Sequence, residues 1–262
     1  MTDEKYFFQD VSLLITHYNR SESLENLLNS FELLDCNFGE IVVSDDGSRL
    51  DHLERIKRLQ IKYVFKLITT PVNKGLGNNI NKGQGAVTKN YTLYIQEDFE
   101  PSKEFPSKFE EALTFMNQDA TLDIIRFYAY YAFPYLRPLN RNFDQLDIPA
   151  MAWDYSKIYA YSDHPHLRRS SFLEKFGRYP EGLKGDITEY KMCISFLQNN
   201  GQGLFYKDFA NLLIQKNSQE EPSTMVRKSW TSNKGLLIRF IRNTYRQIKY
   251  NYDIKFMKRL KK

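Results

Sequence analysis

The sequence predicts an α/β protein: an open, mostly parallel sheet flanked by helices, with a basic amphipathic helical tail. Three observations carry this expectation. In the first half, short apolar runs alternate with longer segments whose apolar residues recur every three to four positions, the alternation that builds a parallel sheet with crossover helices. The apolar runs end abruptly in polar or acidic residues, and the bases of the chain gather near its C-terminal end.

The run VSLLI (11–15) reads as a buried strand. SESLENLLNSFELL (21–34) sets Leu24, Leu27, Leu28, Phe31 and Leu34 on one helical face, with Ser21 as its cap. EIVVSDDGS (40–48) is a second strand closing in acids and a turn. A short helix at 50–59 precedes a third strand, KYVFKLITT (62–70). VNKGLGNNINKGQGAV (72–87) passes through a glycine-rich loop into a helix, and YTLYI (91–95) opens the fourth strand. The second half is less regular: a helix at 104–118, a strand DIIRFYAYY (123–131), and an aromatic, proline-punctuated loop over 132–157. A strand near 158–161, a helix at 170–177, a helix within 185–201 and a last strand GLFYKDF (203–209) complete a domain over 1–215. Residues 216–234 read as a polar linker to a helix over 235–262.

With 262 residues, 42% of them hydrophobic, the chain can bury one substantial core, and its length suits one catalytic-sized domain. Two cysteines, Cys36 and Cys193, give no disulfide framework and no metal-ligand spacing. The polar, acidic start MTDEKYFFQD is unlike a secretory signal, and no apolar run reaches the roughly 18 residues of a spanning helix, so a cytoplasmic location is expected. The net charge of +5 hides a segregation: from Arg227 onward twelve bases face the single acid Asp253, so the body before them is net acidic. An acidic body argues against nucleic acid as a partner.

YIQEDFEP (94–101) poses the central chemical question, because Glu97, Asp98 and Glu100 crowd the end of a core strand. Such carboxylates repel one another unless something cationic lies between them. In an open α/β sheet ligands bind at the carboxyl ends of the strands. Those ends here carry Thr16, His17, Tyr18 and Asn19, then Asp45 and Asp46, then the loop from Asn73 to Gly77, then Glu97 and Asp98. Hard carboxylate oxygens beside a phosphate suit Mg²⁺ or Mn²⁺, so a nucleoside diphosphate arriving with its metal is one answer. The glycines at 75, 77, 83 and 85 do not follow the first strand, as a dinucleotide fingerprint requires.

VSLLITHYNR, EIVVSDDGS, NKGLGNNINKG, YTLYIQEDFEP and GDITEY, in that order over residues 10–205, resemble glycosyltransferase family 2, inverting enzymes of the GT-A fold that use nucleotide sugars. The resemblance implies that Thr16 and Tyr18 line the base pocket and that Asp46 of the DDGS turn accepts from the nucleobase, with Asn19, Gly47 and Ser48 also in the nucleotide site. Asn73 and Gly75 would let backbone approach the nucleotide. The family's acidic triplet falls on Gln96, Glu97 and Asp98, which makes Asp98 the ligand to a diphosphate-bound metal and places Glu97 against the nucleotide. Gln96 departs from the commonest form, where an acid often stands. Asp186 matches the general base, and Glu189, one helical turn on, is the second candidate.

The expected function is thus metal-dependent, inverting transfer of a sugar, from a donor expected to be UDP-linked, to a saccharide or lipid-linked saccharide in cell-surface polysaccharide assembly. A non-catalytic nucleotide-binding or scaffolding protein of the same fold is the alternative, and Gln96 is compatible with it. A nucleotidyltransferase would need a basic glycine-rich loop where the chain has THYNR. His164 and His166 raise a zinc site, but two histidines without further ligands suit a structural role better. Aromatics in RFYAYYAFPYL (126–136) and Trp153 are candidates to stack on an acceptor sugar, beside a core role. The tail sets Leu237, Ile238, Ile241, Tyr245, Ile248 and Tyr252 on one face and Arg239, Arg242, Arg246 and Lys249 on another. That pattern fits a helix on an anionic membrane surface, one packed on the protein's own body, or a partner contact.

Overall fold

The computed structural model describes residues 5–216 and 236–262, so all of the expected linker but Lys216 lies outside the described residues. The first half follows the predicted alternation: β1 (Tyr6–His17), α1 (Ser21–Leu33), β2 (Cys36–Asp45), α2 (Leu50–Lys62), β3 (Lys66–Ile68), α3 (Leu76–Gln84) and β4 (Tyr91–Gln96). After it come β5 (Phe99–Pro101), α4 (Phe105–Gln118), β6 (Ile124–Arg126), β7 (Leu136–Pro138) and β8 (Phe143–Leu146). The chain continues through β9 (His166–Arg169), α5 (Phe172–Phe176), α6 (Gly185–Gln198), β10 (Gly203–Tyr206) and β11 (Leu213–Gln215) to α7 (Leu236–Phe256). Nine strands form one sheet in the order β3-β2-β1-β4-β9-β6-β10-β8-β7, and β11 pairs with β5 in a small ribbon. The β3-β2-β1-β4 half is parallel, while β9, β8 and β7 bring in antiparallel pairs.

Because successive residues of a strand face opposite sides, β1 feeds two cores. Leu13 and Ile15 pack with Leu24, Leu27 and Phe31 of α1 and with Phe105 and Phe109 of α4, while Leu14 packs with Ile80 of α3 and the second-half helices α5 and α6. Tyr250 and Ile254 of α7, with Met257 and Leu260 beyond it, cover this second core. The tail is therefore docked on the body by one face.

Several boundaries differ from expectation for local reasons. Ser21 is the first residue of α1 rather than its cap; Arg20 occupies the cap position, and Ser21 Oγ pairs with His52 Nδ1 at 2.8 Å. The third strand shortens to β3 because α2 continues to Lys62. The expected 123–131 strand ends at Arg126, whose buried guanidinium turns to the carbonyls of Tyr159 and Tyr128. Inside the expected loop, β7 and β8 form a hairpin whose turn is closed by Asn140 Oδ1 accepting from Asn142 and Phe143 N–H at 2.9 and 2.8 Å. The strand expected near 158–161 is a 3₁₀ turn, Tyr155–Ala160. The strand lies instead at β9, disguised by two arginines that are satisfied inside the protein. Arg168 is fully buried and bonds Gln84 Oε1 at 2.7 Å, and Arg169 bonds three main-chain carbonyls. GLFYKDF is not the last strand, since β11 follows it.

The ends of β1 and β2 are tied together by Asp45. Arg20 N–H donates to His17 Nε2 at 3.1 Å, which leaves Nδ1 as the donor to Asp45 Oδ1 at 2.8 Å. Ser48 Oγ reaches the same oxygen at 2.5 Å, and Oδ2 accepts from Thr69 Oγ1 at 2.7 Å and from Gly47 and Ser48 N–H, each at 3.1 Å. Gly47 sits at φ +70°, and a Cβ there would lie 2.4 Å from the Val72 carbonyl carbon, so the turn needs glycine. Burial alone would raise the Asp45 pKa, but the hydrogen bonds from His17, Ser48 and Thr69 outweigh it and hold the carboxyl well below the usual range. The stability so gained is present above the ordinary Asp value of about 3.9 and is lost as pH falls below it. Asp45→Asn is expected to lower stability near neutral pH by roughly 2 kcal/mol and to flatten the acid limb. Chemical denaturation across a pH series reads both, and an acid limb as steep as in the wild type would mean that Asp45 is not its source.

Candidate active site

At the carboxyl ends of β1, β2 and β4 lies a cleft of about 640 Å³, within the usual range for small-molecule sites. Its walls come from Thr16, Tyr18 and Arg20 after β1, Asp46 after β2, Asn73 and Gly75 before α3, and Gln96, Glu97 and Asp98 at the end of β4. Asp163 and His164, before β9, and Asp186 and Glu189 on α6 complete it, with Tyr130 and Gln215 at its margin.

The cation among the acids of β4 is part of the chain. Arg20, 4% exposed, sets Nη1 at 3.0 Å from Asp98 Oδ2 and 3.6 Å from Glu97 Oε1. Gln215 Nε2 donates to the same Asp98 oxygen at 2.9 Å, and Lys216 N–H donates to the Asp98 carbonyl at 2.6 Å. Asp98 Oδ1 is buried and has no hydrogen-bond partner. Among the described residues no three His, Cys, Asp or Glu side chains cluster as a protein cage would require. An orphaned carboxylate oxygen in a polar cleft nonetheless fits a divalent cation that takes its remaining ligands from phosphate and water, the usual habit of Mg²⁺.

Asp46 is 3% exposed, and its two oxygens accept from Lys74 and Gly75 N–H, each at 2.8 Å. It thereby fixes the loop before α3 while each oxygen keeps a second lone pair for a ligand. Burial dominates and pushes its pKa up, against the loop amides and Lys82. Gly75, at φ +85°, caps α3 without a side-chain bond, and Lys184 likewise precedes α6 with no side-chain cap. The N-terminal ends of both helices border the cleft at Gly75, Leu76, Gly185 and Asp186, a setting that favours anions.

Asp186 and Glu189 stand three residues apart on one face of α6. Asp186 is exposed and accepts from Ile187 N–H at 2.9 Å, in the first turn rather than at the cap position. Glu189 Oε1 accepts from Asp163 N–H at 3.0 Å. Thr16 Oγ1 pairs with Tyr94 OH at 3.2 Å, inside the cleft wall.

Three residues expected at the nucleotide site do not line the cleft. Asn19, at φ +53°, donates its N–H to Ser48 Oγ and accepts Arg49 N–H on Oδ1, each at 2.8 Å, while Gly47 and Ser48 belong to the Asp45 turn. They shape the site from behind. His166 is buried between Tyr94 and Tyr161, with Nδ1 donating to the His164 carbonyl at 2.7 Å; His164 lies in the cleft wall against Tyr128 and Tyr130. Burial pushes the His164 pKa down to about 3. Trp153 is exposed beside α7, its carbonyl accepting from Asn251 Nδ2 at 2.8 Å, and is not among the cleft residues. Sequence reasoning missed Arg20, Asp163 and Gln215. A signal existed only for Arg20, the base that follows the first strand within THYNR.

A family model described as "Glycosyl transferase family 2" matches residues 12–177. Among curated proteins, poly-beta-1,6-N-acetyl-D-glucosamine synthase of Staphylococcus epidermidis is 29% identical over 90 residues, 34% of this chain and 22% of the relative. The Staphylococcus aureus (strain COL) protein of that name is 26% identical over the same length. The matched stretch therefore spans about a fifth of those relatives. Among solved structures, S. aureus TarS 1-349 in complex with UDP-GlcNAc superposes with a TM-score of 0.61 at 17% identity, covering 93% of this chain and 67% of that one. The mannosyltransferase PcManGT from Pyrobaculum calidifontis, in complex with GDP-Man and Mn²⁺, gives 0.58 at 12% identity, covering 98% and 66%. These neighbours share the GT-A arrangement of the fold. With more than half of its length matched by the family model, the chain belongs to glycosyltransferase family 2.

Proposed function

We propose that the cleft transfers a sugar from a UDP-linked donor, with inversion, to a saccharide or lipid-linked saccharide during cell-surface polysaccharide assembly. The observation that carries this reading is the presence in one cleft of an unpartnered Asp98 oxygen and, on the face of α6, of Asp186 and Glu189. The solved neighbours in complex with UDP-GlcNAc and the polysaccharide synthases among the relatives support the donor and the setting.

In this reading the base lies by Thr16, Tyr18 and Asp46, and the diphosphate lies toward the N-terminus of α3 and Arg20. Asp98 would hold a divalent cation, Mn²⁺ or Mg²⁺, which when bound would offset charge on the leaving diphosphate. The acceptor oxygen forms its bond to the anomeric carbon as the bond to the diphosphate breaks, with the electron pair leaving on the diphosphate. The acceptor proton passes to the Asp186 carboxylate. Glu189, already engaged by Asp163 N–H, is less free for that role.

Calorimetric titration with UDP and UDP-sugars, with and without Mn²⁺, tests the donor site; absence of binding under every condition would overturn it. Asp98→Asn is expected to weaken UDP binding in Mn²⁺ but hardly without metal, and equal effects in both would remove Asp98 as a ligand. Asp186→Asn should leave donor binding near normal and lower turnover by about 10² to 10⁴; unchanged turnover would leave Asp186 no part in proton transfer.

We further infer that α7 lies on an anionic membrane surface. Ile238, Ile241, Tyr245, Ile248, Tyr252 and Phe256 form an outward stripe, each from 43% to 64% exposed. Lys255, Lys258, Arg259, Lys261 and Lys262 stand exposed at its end. Among the described residues no helix is long and apolar enough to cross a membrane, so the helix would lie in the interface. The charge favours anionic lipid over a second copy of the same positive tail. The full chain should co-sediment with phosphatidylglycerol-containing vesicles, less so at high salt, and Ile241→Asp with Ile248→Asp should abolish it; equal binding to purely zwitterionic vesicles would overturn the reading.

A further inference from the structure

Beside the acids of β4 the cleft holds one carboxyl that the reaction above does not use. Asp163 is 3% exposed and lines the cleft with His164 and Glu189. Tyr161 OH donates to its Oδ1 at 2.9 Å, whereas Oδ2, also buried, has no hydrogen-bond partner. The side chain is braced from behind by a buried polar chain. Arg168 grips Gln84 Oε1 at 2.7 Å and donates from Nη1 to the Tyr179 hydroxyl at 3.2 Å, and that hydroxyl meets Tyr161 OH. A buried polar atom left unmatched is destabilising, and native proteins retain few of them. Here it belongs to a residue that lines the cleft.

Its place in the fold says which part of the ligand it meets. β9 runs antiparallel to β4 with His166 opposite Tyr94, so the residues before β9 run beside the end of β4 that carries Glu97 and Asp98. On the other side Asp163 N–H holds Glu189 of α6. Asp163 therefore lies between the acids assigned to the diphosphate and the helix assigned to the base, where the transferred sugar must sit in a single in-line displacement. We propose that Asp163 Oδ2 contacts a hydroxyl of the transferred sugar and is a specificity-determining residue of the donor site, an inference that rests on the donor reading given above. Burial, followed by the charge of Glu189, pushes the Asp163 pKa up to about 8. A hydroxyl both donates and accepts, so it can pair with either form.

The test is calorimetry on the full chain in Mn²⁺ with UDP and with UDP-N-acetylglucosamine, for wild type and Asp163→Ala. The variant should bind UDP as the wild type does, while the ratio of the UDP-sugar to UDP dissociation constants rises roughly tenfold, the effect of losing one such hydrogen bond. A deoxy donor lacking the contacted hydroxyl should bind both proteins alike. An unchanged ratio overturns the assignment of Asp163 and leaves the donor reading standing. Failure of the wild type to bind either ligand overturns both. Should the alanine variant not fold, the wild type alone carries the comparison: a deoxy donor lacking the contacted hydroxyl should bind roughly tenfold more weakly than its hydroxylated parent, and equal binding by every monodeoxy donor overturns the assignment.

Discussion

Four buried carboxylates at one edge of a parallel sheet set the terms for the rest of this structure. Asp45, Asp46, Glu97 and Asp98 are each at most 9% exposed, and water does little to separate their charges. The chain compensates them by different means. Asp45 is saturated by hydrogen bonds from His17, Ser48, Thr69 and the turn amides. Asp46 takes the amides of the loop before α3. Glu97 and Asp98 share the guanidinium of Arg20. Each compensation also fixes a wall of the cleft, so the electrostatic requirement and the shape of the site have one cause.

The tail belongs to the same argument at longer range. Its inner face is committed to the body: Tyr190 OH donates to Asp253 Oδ2 at 2.6 Å, and Gln198 Nε2 donates to the Met257 carbonyl at 2.8 Å. Gly177, at φ +85°, lies so close to Leu260 that a Cβ would come within 2.6 Å of the leucine Cβ. Tyr190 and Gln198 stand on α6, the helix that carries Asp186 and Glu189. The tail is therefore packed on the helix that supplies two of the cleft's acids.

The first half of the fold was legible because its strands hold mostly apolar runs, as in VSLLI, and its first helix is periodic over 21–34. The second half was not, for a consistent physical reason. β9 carries His166 and Arg168 into the interior with Arg169 half-buried beside them; the two arginines are satisfied by partners far away in sequence, and a local pattern cannot announce such satisfaction. β7 and β11 are three residues each, too short for periodicity to register. In the site, motif spacing found the cleft acids and Gly75, but it placed Gly47 and Ser48 of DDGS at the nucleotide together with Asp46. The structure divides it: Asp46 faces the cleft, while Asp45, Gly47 and Ser48 hold the turn. A side chain's direction after a tight turn depends on backbone dihedrals such as the φ +70° of Gly47, which no residue pattern specifies.

The sequence posed the question of what cation lies among the acids of YIQEDFEP, and two answers coexist without conflict. Arg20 neutralises one oxygen of Asp98 and approaches Glu97, which makes the cluster tolerable when nothing is bound. A guanidinium is a planar donor that binds in fixed directions, and it leaves Asp98 Oδ1 unmatched. The remaining demand is for a cation that can approach that oxygen from the cleft and accept ligands on its other sides. A fixed side chain brings no open coordination positions, whereas the hydrated divalent ion of the proposed function, arriving with a diphosphate, would. The resident arginine thus allows the acids to fold together, and the oxygen it does not reach is the one the proposed cation would use.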